Sequence, residues 1–229
     1  MCNIKKQRRI FITGTDTDVG KTVASAVLLH LLKKIGYSTA SLKPIAAGVE
    51  EKMNVNSDVI FLQENTTNKH TYKEINPYLF QEPIAPHIAA RNESIDINID
   101  ECIEKCQSIL KSDAEFIVIE GAGGLLVPLN HSQTMLDLAI AMRTEIILVV
   151  GMKLGCLNHT LLTVDAIKNS GLRFSGWIAN HLSKDMPYVQ LNIESLKERI
   201  DAPFLGEIPF SEKIDPSKMS IHINQEIFP

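Results

Sequence analysis

An α/β fold, doubly wound around a mostly parallel central sheet with flanking helices, is predicted by two features of this 229-residue chain. Short β-rich runs alternate with amphipathic helical stretches, the order that builds parallel strands with helical crossovers. Several runs, such as Ile117–Ile119 and Ile146–Val150, are continuously aliphatic, as strands covered on both faces must be. In such a fold ligands are expected outside the carboxyl ends of the strands.

Arg9–Thr13 (RIFIT) reads as the first strand, and Lys21–Ile35 as a helix with apolar Val23, Val27, Leu28, Leu31 and Leu32. Thr39–Lys43 is a second strand, ending at Pro44. A short helix starts near Asn56 or Ser57, both suited to cap it. Asp100–Leu110 has helical spacing at Ile103, Cys106, Ile109 and Leu110. Phe116–Ile119, Glu145–Val150, Phe174–Ala179 and Phe204–Ile208 complete the strands, each followed by a loop or helix signal. Between Asn65 and Asn98 the pattern weakens around Pro77, Pro83 and Pro86, and the stretch reads as an insertion within a single domain spanning residues 1–229.

Hydrophobic residues at 45% and charged residues at 22% are ordinary globular proportions, and the chain is long enough to bury a core without disulfides or metal. A net charge of −4 argues against nucleic acid or an anionic membrane surface as a partner. The longest aliphatic run, Ile146–Met152, is too short to span a bilayer. Lys5, Lys6, Arg8 and Arg9 are followed only by Ile10, Phe11 and Ile12 before polar residues begin, too short an apolar stretch for an export signal. Cys2, Cys102, Cys106 and Cys156 form no CxxC and match no Cys/His cluster; Cys102 and Cys106, one helical turn apart, read as small apolar residues on a packed face. These features point to a reduced, cytoplasmic setting.

The chemistry-bearing segment is Gly14-Thr-Asp-Thr-Asp-Val-Gly20-Lys21-Thr22, between a strand and a helix. A phosphate-binding loop needs backbone N–H groups converging on an anion at a helix N-terminus, a lysine for the β- and γ-phosphates and a hydroxyl for Mg²⁺. Gly20, Lys21 and Thr22 supply these, with the first glycine one residue further away than in the usual spacing, so this is a variant P-loop of the NTPase type. Glu120 closes the strand FIVIE before Gly121-Ala-Gly-Gly124 and is placed like a carboxylate that holds Mg²⁺; the alternative is a strand-end surface acid. Asp58 by itself reads as a helix-dipole partner. Lys43, at a strand end, is either a solvated lysine or a second cation for charge that develops in phosphoryl transfer. Asn180, also at a strand end, is either a turn residue or an amide that reads a base. The sequence Asn180-His-Leu-Ser183 is not the N-K-x-D of guanine-specific GTPases, which leans toward ATP.

These residues resemble one family, the dethiobiotin synthetases of biotin synthesis, over nearly the whole chain to about residue 211. The resemblance is carried by GTDTDVGKT (14–22), KPIAAG (43–48), NSD (56–58), NPYLF–EPIAPH (76–87), EGAGG (120–124), VVGMKLGCLNH (149–159), GWIAN (176–180) and LGEIP (205–209), in that order. It implies an ATP- and Mg²⁺-dependent cyclo-ligase. Its substrate, 7,8-diaminopelargonate, takes up CO2 as a carbamate, the ATP γ-phosphoryl passes to that carbamate, and the neighbouring amine closes the ring to dethiobiotin with release of ADP and phosphate. By the same resemblance Lys21, Lys43 and Thr17 would be catalytic, and Thr22, Asp58 and Glu120 would hold Mg²⁺. Asp18, Val19, Gly20, Lys21, Thr22 and Val23, with Asp58, Glu120, Gly121, Ala122 and Gly123, would form the nucleotide site. Asn180 and His181 with Pro209, Phe210 and Ser211 would surround adenine. Thr17, Lys43, Ala47 and Gly121 would seat the diamine, and Gly155, Cys156, Leu157 and Asn158 of the second subunit of a homodimer would receive its carboxylate.

The chain departs from the family pattern at Asp18, where glutamate is usual, and at Ala47, where serine or threonine is common, and the tail beyond Ser211 matches poorly. A competing assignment is a partitioning-type P-loop ATPase acting on DNA or membrane. Such proteins carry an extra lysine early in the loop, where this chain has Thr15-Asp16-Thr17-Asp18, and the chain shows no basic patch or C-terminal amphipathic anchor. An amidoligase with its own glutaminase domain does not fit in this length.

Overall fold

The computed structural model describes residues 7–50, 53–225 and 228; Cys2, Lys5 and Lys6 of the sequence reading lie outside them. The strands among these residues are β1 (Arg8–Gly14), β2 (Thr39–Leu42), β3 (Ile45–Ala47), β4 (Tyr78–Phe80), β5 (Phe116–Gly124), β6 (Glu145–Met152), β7 (Phe174–His181) and β8 (Phe204–Ile208). Six of them form one parallel sheet in the order β2-β5-β1-β6-β7-β8. The helices are α1 (Lys21–Lys34), α2 (Ser57–Asn65), α3 (Tyr72–Ile75), α4 (Pro86–Asn92), α5 (Ile99–Lys105), α6 (Gln107–Leu110), α7 (Met135–Ala141), α8 (Cys156–Asn169), α9 (Val189–Lys197) and α10 (Pro216–Met219). The predicted doubly wound α/β class is therefore the observed one.

Both faces of the sheet are covered, which is why its strands read as aliphatic runs. Side chains alternate along a strand, so Ile10 and Ile12 of β1 pack with Leu28, Leu29 and Leu32 of α1 on one face, while Phe11 packs with Ile119, Leu148 and Trp177 on the other. Cys102 and Cys106 are buried in the second of these layers, as their spacing implied.

Several boundaries differ from the sequence reading. β2 stops at Leu42, because the Lys43 amide donates to the carbonyl of Ile75 instead of to the sheet. β5 runs past Ile119 to Gly124. The Asp100–Leu110 helix begins at Ile99, where the Asn98 side chain accepts from the Asp100 and Glu101 amides, and it breaks at Cys106 into α5 and α6. Within the insertion, β4 pairs in parallel with β3 to make a small separate sheet. Strands of three residues carry no readable period, so neither was expected. Helices α7 and α9 were also missed, although the Thr134–Asp137 capping box marks the start of α7.

One irregularity shapes the site. Between β1 and β5 the register passes from Ile12↔Glu120 to Gly14↔Gly124, two residues against four. Gly121–Gly123 thus bulge out of the ladder beside the phosphate loop. A Cβ on Gly121 would fall within 3.0 Å of the Phe11 ring, so glycine is required there.

Candidate active site

The carboxyl ends of β1, β2, β5 and β7 lie at one edge of the sheet, and the phosphate loop is built between β1 and α1. Its ladder continues through Thr15, whose amide donates to Val149 at 3.1 Å. The Asp16 carboxylate accepts from the Thr17 amide at 2.8 Å and from Lys153 Nζ at 2.7 Å, and Lys21 Nζ donates to the Asp16 carbonyl at 3.1 Å. The bonds from Lys153 and Thr17 hold the Asp16 carboxyl below its ordinary pKa. Asp18 and Gly20 both have positive φ, 56° and 84°. No side chain caps α1, so its first-turn N–H groups are left for an anion. Burial lowers the Lys21 pKa, against the raising effect of Glu120.

Across the cleft, Lys43 joins two carboxylates. Its Nζ lies 2.7 Å from Asp58 Oδ2 and 2.5 Å from Glu120 Oε1, and the Thr22 hydroxyl donates to the same Oε1 at 2.8 Å. Burial depresses the Lys43 pKa, but Glu120 and Asp58 outweigh it and the ammonium is held above its ordinary value. Glu120 Oε2 is buried without a hydrogen-bond partner. An orphaned anionic oxygen beside a threonine hydroxyl and a second carboxylate is a donor set that suits a hard divalent cation. Asp58 and Glu120 are thus in contact with Lys43, and the readings of Lys43 as a solvated lysine and of Glu120 as a surface acid do not hold.

These groups line a cleft of about 670 Å³. Thr17, Asp18, Gly20, Lys21, Thr22, Val23, Lys43, Ala47, Asp58, Glu120, Gly121, Ala122 and Gly123, all singled out in the sequence, face it. So do Ala46, Val127 and Pro83 to Pro86, which add apolar groups to the lining; in the sequence Pro83 and Pro86 read as punctuation and EPIAPH as part of the family resemblance, with no site role attached. Val19 is buried, and its carbonyl accepts from the Asn180 amide at 2.9 Å. His181, Pro209 and Phe210 line a second cavity of about 580 Å³, while the Ser211 hydroxyl turns to the Lys213 carbonyl. Gly155, Cys156, Leu157 and Asn158, at the start of α8, do not line this chain's own cleft. The Lys153–Asp16 pair was not foreseen; its partners are 137 residues apart and each alone is an unremarkable polar residue.

A family profile described as an AAA domain matches residues 8–218. The chain is 46% identical to the ATP-dependent dethiobiotin synthetase BioD of Cellvibrio japonicus, over 95% of this chain and 96% of that one. It is 43% identical to the protein of the same name from Vibrio parahaemolyticus, over 94% and 95%. Among solved structures, the septum site-determining protein MinD of Pyrococcus horikoshii superposes with a TM-score of 0.52 at 20% identity, covering 94% of this chain and 85% of that one. A plasmid partition protein of Borrelia burgdorferi superposes with 0.56 at 17% identity, covering 98% of both. At such identities the solved structures share the fold alone, and the partitioning-type assignment gains nothing beyond it.

Proposed function

The chain belongs to the family of ATP-dependent dethiobiotin synthetases, and from that premise we propose that it closes the ureido ring of dethiobiotin from 7,8-diaminopelargonate, CO2 and ATP. The observation that carries this reading is the mixed lining of the cleft, cationic and apolar groups together. One set of lining groups is Lys21 and Thr22 at the N-terminus of α1 with Lys43 beyond the end of β2; the other is Ala46, Ala47, Val127 and Pro83 to Pro86. The first suits a triphosphate and a carbamate, the second the aliphatic chain of the diamine.

In this reading one amine attacks CO2 and gives up a proton to solvent, forming a carbamate, and Lys43 and Lys21 face it from either side. The carbamate oxygen attacks the γ-phosphorus, the bond to the β–γ bridging oxygen breaks, and ADP leaves with that electron pair. The second amine then attacks the carbamoyl carbon, expelling phosphate and losing a proton. Phosphoryl transfer needs chiefly alignment and charge stabilisation, which two buried ammonium groups and the uncapped N–H groups of α1 provide. Thr22, Asp58 and Glu120 would hold Mg²⁺, which when bound neutralises charge on the β- and γ-phosphates. Thr17 and the Gly121–Gly123 bulge would position the amines. Asn180, His181 and the Pro209–Ser211 segment would surround adenine at the second cavity.

The same reading places the enzyme in the cytoplasm as a homodimer. No helix among the described residues is long and apolar enough to cross a membrane. Leu154 is 98% exposed directly before Gly155, and Leu162 of α8 is 64% exposed, an apolar surface that supports pairing. In the dimer the α8 N-terminus of one subunit would receive the diamine carboxylate of the other.

ADP release with 7,8-diaminopelargonate and bicarbonate added singly and together tests the proposal. Turnover should require both, because the phosphoryl acceptor is the carbamate. Hydrolysis of ATP indifferent to either compound would overturn it.

A further inference from the structure

We propose that Lys43 is the internal counter-ion of the Asp58–Glu120 carboxylate pair and keeps a bare divalent cation out of it. The two carboxylates then open to a cation only when a phosphate-bearing ligand draws Lys43 away. This rests on the cation-binding role proposed above for Thr22, Asp58 and Glu120.

The ammonium and a divalent cation compete for the same two carboxylates. Lys43 Nζ is bonded to Asp58 Oδ2 at 2.7 Å and to Glu120 Oε1 at 2.5 Å, and Thr22 donates to that same Oε1. The side chains of Lys43 and Glu120 are 7% and 0% exposed, so water screens little of their interaction. A cation coordinated by both carboxylates, even through the unpartnered Glu120 Oε2, would place two positive charges beside the buried Lys43 ammonium and draw on the charge that holds it. Lys21, which already feels the repulsion of Lys43, makes that arrangement worse. Around the cleft Lys21 and Lys43 face the carboxylates of Asp18, Asp58 and Glu120, so a bare divalent cation would turn a small net negative charge into a net positive one. A polyphosphate reverses the terms, since its oxygens give both lysines new partners and release the carboxylates. Cation affinity and nucleotide affinity then rise together, each by the same factor.

The test titrates nucleotide-free protein with Mn²⁺, followed by electron paramagnetic resonance of the free ion. Lys43→Gln should bind Mn²⁺ at least about tenfold more tightly than the wild type, while Lys43→Arg, which keeps the charge, should not. Because Lys43→Gln strips a buried carboxylate of its counter-charge, melting temperatures with and without Mn²⁺ form a second readout. The variant should gain more from Mn²⁺ than the wild type does, and a variant that folds only with Mn²⁺ supports the proposal equally. Equal or weaker Mn²⁺ binding by Lys43→Gln, with no larger melting shift, overturns it. Mn²⁺ titration of the wild type and of Glu120→Gln with a non-hydrolysable ATP analogue isolates the underlying reading. Loss of cation binding in Glu120→Gln upholds the carboxylate ligands, so that an unchanged Lys43→Gln then overturns the counter-ion role alone. Unchanged binding in Glu120→Gln overturns both.

Discussion

Asn180 and Gly20 compete for one volume: the amide nitrogen of Asn180 lies where a Cβ on residue 20 would have to go, and it donates to the adjacent Val19 carbonyl at 2.9 Å. The end of β7 is thereby fastened to the last turn of the phosphate loop. Since the neighbouring His181 lines the second cavity, the two cavities share one rigid joint.

Removing each half of that joint should have unequal effects. Asn180→Ala deletes one hydrogen bond, whose net worth is about 0.5–1.5 kcal/mol. Because this bond already exists without ligand, that loss falls on the loop's stability, and ATP binding should weaken by at most roughly two- to twelve-fold. Gly20→Ala must both hold alanine at a φ of 84° and displace Asn180, so its loss should be larger. Titration calorimetry with a non-hydrolysable ATP analogue measures both, and Gly20→Ala binding as the wild type does would refute the packing argument.

Lys21 should make ATP binding pH-dependent on the alkaline side. Burial lowers its pKa in the free protein, and a bound polyanion raises it again. The complex therefore holds more protons than the separated partners, and affinity should fall as pH rises through the lowered free-state value. Calorimetry in two buffers of different ionisation enthalpy should reveal proton uptake, lost in Lys21→Met. Proton release, or uptake unchanged in the variant, would contradict this.

Ala47 lines the cleft from β3 and is half-buried. If the hydroxyl usual at this position in the family bonds the diamine, Ala47→Ser should lower KM by roughly two- to twelve-fold. A bond made equally in ground and transition states leaves kcat almost unchanged. A folded Ala47→Ser enzyme with unaltered or higher KM would show that the hydroxyl is not missed here.

At the start of β6, Glu145 accepts from Arg8 Nε at 2.7 Å and from the Ser175 hydroxyl at 2.5 Å. Burial raises its pKa, but these two bonds outweigh burial and hold it below the ordinary 4.5. A carboxyl depressed in the folded state contributes stability that is complete above its unfolded pKa and is lost as pH falls through the folded one. Glu145→Gln should therefore be less stable than the wild type near neutrality, with the difference shrinking in acid. Urea unfolding at about pH 7 and about pH 3 measures it, and a gap that widens in acid would reverse the sign.

The α/β class, the phosphate loop and the placement of Lys43, Glu120 and Asn180 toward the carboxyl ends of β2, β5 and β7 were legible without coordinates, although β2 stops one residue short of Lys43 and β5 runs on to Gly124. Each is a local signal: aliphatic runs report burial on both faces, and Gly20-Lys21-Thr22 sits between a strand and a helix that announce themselves by period. Parallel strands then bring their carboxyl ends to one edge, so residues at those ends become neighbours by topology. Which atom meets which was not legible. The bonds of Lys43 to Glu120 and of Lys153 to Asp16 cross 77 and 137 residues, and the two-against-four register at Gly121–Gly123 shifts side chains without altering the apolar pattern. Hydrophobic periodicity encodes the face that is buried, whereas an ion pair is set by ångström-scale placement once two segments have packed. For Lys43 that placement turned an ambiguous strand-end lysine into a buried ammonium held by two carboxylates.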